Sequence, residues 1–209
     1  MKKLESSLTN MVLVLTGVAV IMGGILALVN HITEGPINAQ KAKTLADGIK
    51  TVMCVSDITV SRTDTVKQND AKGKELTYII YQTQDAQGKD LGAAVESTTG
   101  GFGGDLKVLV GFDSEGNILG YTLLEHAETP GLGAKADKWF QKGEKGDIIG
   151  KNPKEPLTVS KDGGQVDAIT ASTITSRAFL LAVNRAYNAY KDIPATDAET
   201  GATKQVKEE

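Results

Sequence analysis

Residues 167–190 read DAITASTITSRAFLLAVNRAYNAY, a hydroxyl-rich start followed by a helical pattern. Phe179, Val183, Ala186 and Tyr190 recur at the spacing i, i+4, i+7 and i+11, which places them on one face of a helix. The pattern therefore predicts a helix over residues 173–190. The class of the fold then depends on the segments that precede this helix.

The preceding segments favour strands. Residues 76–83, 91–97, 106–112 and 118–125 are rich in β-branched and aromatic side chains, and DSEGN at 113–117 predicts a hairpin between the last two. Short strands are predicted at 157–161 and 166–169, helices at 36–53 and 134–141, and a loop at 142–156. The helix at 36–53 is expected to begin at Pro36, because proline suits a first helical turn. We therefore expect one α+β domain with a mainly antiparallel sheet flanked by helices.

The N-terminal region predicts a single transmembrane helix. Residues 11–29 are apolar apart from Thr16, and about twenty such residues cross a hydrocarbon core of about 30 Å. A cleaved signal peptide is the alternative, but its apolar region is usually about 7–15 residues long and ends at small residues. Lys2 and Lys3 favour a cytoplasmic N-terminus, but Lys41 and Lys43 lie close to the other end of the span, so the charges leave the orientation open. The predicted organisation is an N-terminus and anchor in the bilayer at 1–32, a domain at 33–192, which is extracytoplasmic if the N-terminus is cytoplasmic, and a disordered tail at 193–209.

Composition excludes several classes of function. A formal net charge of -3 argues against a nucleic-acid partner, which calls for a basic face. The single cysteine, Cys54, cannot form an intramolecular disulfide. One cysteine and two histidines also make a His/Cys metal or cluster site improbable.

The start of the predicted C-terminal helix is unusually rich in hydroxyl groups. Five of the seven residues at 170–176 are Ser or Thr. Helix capping needs only one such residue. The first amides of a helix lack internal partners and the helix dipole is positive there, so the segment also suits a phosphate. Capping and phosphate binding both remain open at this point.

The same segment resembles the flavinylation motif of the FMN-binding domain family. That family includes the G subunit of Rnf-type electron-transport complexes and the C subunit of the sodium-pumping NADH:quinone reductase. Its signature is Ser/Thr-Gly-Ala-Thr/Ser preceded by Asp, and a flavin transferase esterifies the last hydroxyl with the phosphate of FMN. Here Ala171 replaces the glycine and Ser172 replaces the alanine. The resemblance implies that Thr173 carries FMN through a phosphoester. The site residues that it implies in this segment are Asp167, Thr170, Ser172, Thr173 and Thr175.

A second segment supports the resemblance. Residues 128–133, ETPGLG, resemble a loop of the same family, and GGFGGDLKVLV at 100–110 resembles the glycine-rich turn and strand before it. Gly131 and Gly133 would allow close approach of the backbone to a planar ring. Glu128 and Thr129 could contact the ribityl chain or the ring edge, and Leu132 completes the predicted loop site. An ordinary Pro-Gly turn is the alternative for this loop alone.

The resemblance implies a function. It is that of an FMN-carrying redox subunit in an Rnf-type complex that couples ferredoxin and NAD chemistry to sodium or proton translocation. The implied partners are the other subunits of the complex and a flavin transferase. The implied location is the bacterial cytoplasmic (inner) membrane, with the domain on the periplasmic side. No residue is expected to act as a catalytic nucleophile or metal ligand. The alternatives are the C subunit of the quinone reductase, a pilin-like structural subunit, and a membrane-anchored binding module without redox activity.

Overall fold

The structure, a computed structural model, describes residues 8–55, 57–69, 73 and 75–192. The predicted tail at 193–209 lies outside the described residues, as do Lys2 and Lys3. The division of the chain at residues 32 and 33 stays a prediction. The contacts themselves separate two units between Thr44 and Leu45.

The centre of the domain is an antiparallel sheet in which each strand pairs with the next one along the chain. Within the described residues it has five strands in the order β1-β2-β3-β4-β5. The four predicted strands are present as β2 to β5, so the predicted α+β class with an antiparallel sheet is confirmed. The sequence did not predict β1, because most of its side chains are exposed and no buried face alternates along it. The strands are β1 (Ile58–Asn69), β2 (Glu75–Asp85), β3 (Asp90–Gly100), β4 (Asp105–Phe112) and β5 (Ile118–His126).

Helix α3 (Thr173–Tyr190) covers one face of the sheet, as its periodicity predicts. Val95, Val108 and Val110 point into the core under α3, whereas the intervening Leu109 points to the opposite face. Phe179 on α3 stacks on Phe140 with ring centroids 4.3 Å apart. The alternation of side chains along each strand therefore gives the sheet two buried faces.

The end of helix α1 (Leu8–Met53) packs on the second face. Ile49, Val52 and Met53 contact the sheet there. Gly111 and Gly120 are paired across β4 and β5, and a Cβ atom at Gly120 would lie 2.9 Å from the carbonyl oxygen of Val52. The bare backbone of both glycines therefore lets the helix approach the sheet closely.

Helix α1 does not begin at Pro36, so that prediction was wrong. The helix begins at Leu8 in the described residues and continues through Pro36 to Met53. Proline removes one helical hydrogen bond and Gly35 before it is a poor helix former, but residues 39–41 (AQK) after it favour the helix, which continues on both sides. The Thr33 hydroxyl also donates to the carbonyl oxygen of Val29 at 2.9 Å one turn earlier. Within the described part of the chain, α1 is long and apolar enough to cross a membrane, which fits a single-pass protein.

The region between β5 and α3 is less regular than predicted. The helix expected at 134–141 is a 3-10 turn at Gly133–Lys135 followed by the short helix α2 (Ala136–Trp139). The strands predicted at 157–161 and 166–169 were wrong, because the structure has only a parallel bridge between Val159 and Val166 and a 3-10 turn at Ser160–Asp162. Gly163 takes a left-handed conformation with φ 84°, which reverses the chain before a strand can extend.

Candidate functional site

Thr173 is the first residue of α3, and its hydroxyl is not used to cap the helix. Ser172 occupies the N-cap position, but its side chain makes no capping hydrogen bond. The buried Ser176 hydroxyl closes this turn instead. It accepts a hydrogen bond from the Ile169 amide at 2.9 Å and donates one to the Ser172 carbonyl at 3.0 Å. Two hydroxyls at the helix start therefore remain outside the capping network.

The chain bends sharply just before this helix. Ala171 has φ 62°, in the left-handed region that favours glycine, and Ala171 and Thr170 are both exposed. The position at which the family signature has glycine is therefore one where a side chain strains the backbone. Thr173 follows two residues after this bend and lies close to the exposed Thr170 and Ala171 in the sequence.

The 3-10 turn at Ser160–Asp162 runs alongside the segment and contacts it through three consecutive side chains. The Ser160 hydroxyl donates to Asp167 Oδ1 at 3.1 Å. Lys161 Nζ donates to Thr173 Oγ1 at 3.3 Å. The Asp162 carboxylate forms a two-bond ion pair with Arg177, with distances of 2.7 and 2.8 Å. The turn therefore touches Asp167, Thr173 and the first turn of α3.

Glu128 is buried and links the predicted loop to α3. Its Oε2 atom accepts a hydrogen bond from the Thr175 hydroxyl at 2.8 Å. Its Oε1 atom accepts from the amides of Phe102 at 2.7 Å and of Gly103 at 3.3 Å. One carboxylate thus joins the loop at 128–133, the glycine-rich loop at 100–104 and the helix that carries Thr173. Both of its oxygens bond to the protein itself.

The two glycines of the predicted loop have different surroundings. A Cβ atom at Gly133 would overlap Glu128 Oε2 and lie 2.7 Å from Thr175 Oγ1. Gly133 is therefore needed for the contact between Glu128 and Thr175. Gly131 faces open space and has φ 77°, so its requirement comes from the backbone conformation.

The outer surface of this loop is exposed. Thr129 is exposed, and its carbonyl accepts hydrogen bonds from the amides of Leu132 at 3.1 Å and Ala134 at 3.2 Å. Leu132 is 42% exposed and Phe102, on the neighbouring loop, is 69% exposed. Two apolar side chains thus point away from the core on loops that the same carboxylate holds.

A groove of about 380 Å³ lies beside the loop. Trp139 lines it, and its indole Nε1 donates to the carbonyl oxygen of Asp167 at 2.8 Å, which connects the groove to the hydroxyl-rich segment. Under the groove, the Tyr121 hydroxyl donates to the Ala136 carbonyl at 2.7 Å and accepts from the Phe140 amide at 3.2 Å. Burial raises the pKa of Tyr121 well above its usual range, so the phenol stays protonated. The lining residues are Pro130, Gly131, Ala134, Lys135, Asp137, Lys138, Trp139 and Glu144.

The structure thus brings several of the predicted residues together and leaves others apart. Glu128, Gly133 and Thr175 are in mutual contact, and Asp167 and Thr173 share the turn at Ser160–Asp162. Thr170, Thr129, Gly131 and Leu132 are exposed, and Ser172 is buried. Sequence reasoning did not find the contacts of Ser160, Lys161 and Ser176, because a lysine in a glycine-rich turn and a serine in a helix carry no distinguishing pattern. The described residues contain no group of three or more His, Cys, Asp or Glu side chains that could hold a metal ion.

Comparison with known proteins shows that this site lies within a matched FMN-binding domain. Residues 101–188 match the FMN-binding domain family, and this range contains all the predicted site residues. The chain is 33% identical over 180 residues to the G subunit of the ion-translocating oxidoreductase complex of Vibrio cholerae (strain M66-2), covering 83% of this chain and 86% of that protein. It is 40% identical over 130 residues to the Aliivibrio fischeri (strain MJ11) protein of the same name, covering 60% and 61%. The Shewanella loihica protein of that name is 44% identical over 89 residues, covering 41% and 42%.

Proposed function

Because this chain belongs to the family of the G subunits of ion-translocating oxidoreductase complexes, we propose that it carries FMN esterified through its phosphate to Thr173. The family makes it an electron-transfer subunit of such a complex, with an FMN-binding domain. The other subunits of that complex are its partners. The covalent linkage, the residues that receive the flavin and the side of the membrane are our proposals.

The observation that carries the proposal is that the Thr173 hydroxyl at the start of α3 takes no part in capping the helix and, among the described residues, hydrogen-bonds only to Lys161. It lies beside the unpaired first amides of an 18-residue helix, where the helix dipole favours a phosphate. Ser176 closes the helix turn from the buried side, so modification of Thr173 leaves that turn intact. The residues present therefore fit a phosphoester at this position.

FMN supplies one-electron and two-electron chemistry when bound, while the protein supplies position and electrostatics. The tether fixes the phosphate end of the cofactor to α3. Glu128, Gly133 and Thr175 then hold the loop at 128–133 against the same helix. These contacts therefore fix the position of the loop relative to Thr173, the attachment point of the flavin.

The flavin ring is proposed to lie along the outer surface of that loop. Thr129, Gly131 and Leu132 are exposed there, and the groove lined by Trp139 adjoins it. Gly131→Val tests this placement, because its side chain would project into the open space on the solvent side, although its φ of 77° also strains a valine there, so the flavin spectrum is read on the folded protein. We expect a changed flavin absorbance spectrum in the folded protein. An early melting transition with an unchanged spectrum would show that the loop is only scaffolding.

The covalent link is tested by measuring the intact mass of the protein produced together with a flavin transferase. We expect one added FMN group on the wild type, with flavin fluorescence that survives denaturing electrophoresis, and loss of both in Thr173→Val. Thr77→Val is the matched control, because it makes the same change at an exposed threonine on β2, outside the motif, and should retain the flavin. Retention in Thr173→Val would move the attachment to Ser172 or Thr175. A wild type without added mass would contradict the proposal.

The membrane placement rests on α1. The apolar side chains of its first half are exposed, as expected of a surface that contacts lipid. We place it in the bacterial inner membrane with the flavin domain on the periplasmic side. A C-terminal reporter that is active only outside the cytoplasm should be active, and the purified protein should retain its N-terminus. Reporter activity in the cytoplasm, or a mature N-terminus near residue 30, would contradict this placement.

The alternatives differ in their partners or their chemistry. The C subunit of the sodium-pumping quinone reductase would carry the same flavin, but the relatives reported above are named as G subunits of the ion-translocating oxidoreductase complex. A pilin-like subunit or a binding module without redox activity would carry no covalent flavin. The mass measurement therefore separates both of them from the proposed function.

A further inference from the structure

We propose that Lys161 is the cation that pairs with the phosphodiester on Thr173, which makes it a binding residue of the flavin site. The inference rests on the proposed function, since it requires a phosphate at Thr173. Lys161 lies outside both motifs that point to the flavin. Its role comes from its position in the structure.

The first step in the argument is the contact itself. Lys161 Nζ lies 3.3 Å from Thr173 Oγ1, the atom that would become the ester oxygen. The phosphorus atom is bonded directly to that oxygen in the modified protein. An ammonium group this close to the ester oxygen is therefore within reach of the anionic oxygens on the phosphorus.

The second step is the balance of charge around the helix start. Asp162 is paired with Arg177 through two hydrogen bonds, and Asp167 Oδ1 accepts from the Ser160 hydroxyl. Within the described residues, no carboxylate lies within ion-pair distance of Lys161. Asp162 is thus engaged with Arg177, whereas Asp167 keeps its negative charge, because a hydroxyl donor does not neutralise a carboxylate, but it makes no ion pair with Lys161. Among the described residues Lys161 therefore has no carboxylate in direct contact, and a phosphodiester, which carries one negative charge, would be its direct partner.

The third step is the way in which Lys161 is held. It is the middle residue of the 3-10 turn at Ser160–Asp162, whose outer two residues are tied to Asp167 and Arg177. These flanking contacts fix the backbone on both sides of Lys161. The turn therefore directs the ammonium group to the helix start more reliably than an isolated surface lysine would.

The experiment compares the thermal unfolding of the full chain in detergent with and without FMN on Thr173. For Lys161→Met, we expect the unmodified protein to melt close to the unmodified wild type. The flavinylated variant should lose about two- to five-fold in its folding equilibrium constant, as for an exposed pair of opposite charges, or about 1–4 °C in Tm. The difference should shrink at 1 M salt, where the Debye length is about 3 Å. Lys161→Arg, which keeps the charge, should restore the wild-type behaviour.

Lys154→Met is the matched control. Lys154 follows Asn152, which bonds to the loop between β4 and β5, and the C-terminal end of α3 reaches the same loop through Tyr190. Leu157, three residues after Lys154, bonds to Asn184 on α3, which lies about 16 Å along the helix from Thr173, about twice the Debye length of about 8 Å at physiological salt. The effect of Lys154→Met on the Tm should therefore be the same with and without FMN on Thr173.

The outcomes separate this proposal from the proposed function. A wild type without FMN on Thr173 overturns both. FMN on Thr173 with an equal effect of Lys161→Met in the two forms overturns only the role of Lys161, as does an effect that is insensitive to salt. If Lys161→Met prevents modification altogether, Lys161→Arg decides: restored modification supports a role of the charge, and its absence overturns it.

Discussion

Replacement of Ala171 by glycine should stabilise the protein, because Ala171 has φ 62° and its side chain is exposed. The left-handed conformation costs a residue with a Cβ atom about 1–2 kcal/mol relative to glycine. Glycine, in turn, has more conformational freedom in the unfolded chain, which offsets about 0.4–1 kcal/mol of that gain. Little buried surface is lost, since the methyl group faces solvent. The net increase in the free energy of unfolding is about 0.5–1 kcal/mol.

The assay is thermal unfolding of the unmodified full chain. A gain of this size raises the Tm of a domain of this length by about 1–4 °C. Ala46→Gly is the matched control, because it makes the same chemical change at an exposed position inside α1. There glycine should lower the stability by about 1 kcal/mol, since the helical conformation suits alanine. Equal or lower Tm in Ala171→Gly than in the wild type would refute the reasoning.

The remaining predictions concern the buried carboxylate and the turn between β4 and β5. Gly133→Ala should break the hydrogen bond between Glu128 and Thr175 and lower Tm by several degrees, measured by circular dichroism, because its methyl group overlaps both side chains; an unchanged Tm would contradict this packing. Desolvation is the largest single influence on Asp113 and raises its pKa, but hydrogen bonds from Asn117 and neighbouring amides together hold the pKa below its usual value of 3.8. Because the pKa of Asp113 is lower in the folded protein than in the unfolded chain, the ionised carboxylate stabilises the fold at pH values above the unfolded pKa. This stabilisation is lost as the pH falls through the folded pKa. The Tm difference between wild type and Asp113→Asn should therefore be largest above about pH 4 and shrink in stronger acid; a difference that is constant with pH would exclude this linkage.

The sequence predicted those parts of the fold that have a buried face. Helix α3 was predicted because its apolar residues recur at helical spacing, and strands β2 to β5 were predicted because β-branched and aromatic residues are concentrated in them. The edge strand β1 has no such face, so only its pairing with β2 identifies it. The helix predicted to begin at Pro36 instead continues through it, because a long helix can lose one hydrogen bond at a proline without ending there.

The candidate site, like the fold, was predicted only in part from the sequence. Motif resemblance pointed to Thr173 and to the loop at 128–133, and the family match at 101–188 covers both. The contacts that hold the site together could not be predicted from the sequence, because they join distant parts of the chain. Glu128 and Thr175 are 47 residues apart, and Lys161 and Thr173 are 12 apart. The reason for glycine at the position of Ala171 also emerged only from its backbone angle.

The strand order of the sheet has a consequence for when the flavin can be attached. Each strand pairs with the one before it, so the sheet can grow in chain order from β1 to β5 without waiting for distant segments. Helix α3 comes after all of them, and it closes the core over β3 and β4. Thr173 is its first residue, and in the folded domain the helix start contacts Lys161 through Thr173 and Glu128 through Thr175. A transferase that recognises this folded arrangement would modify folded domains and not partly folded ones. The flavin would then be present only on domains that have completed their folding.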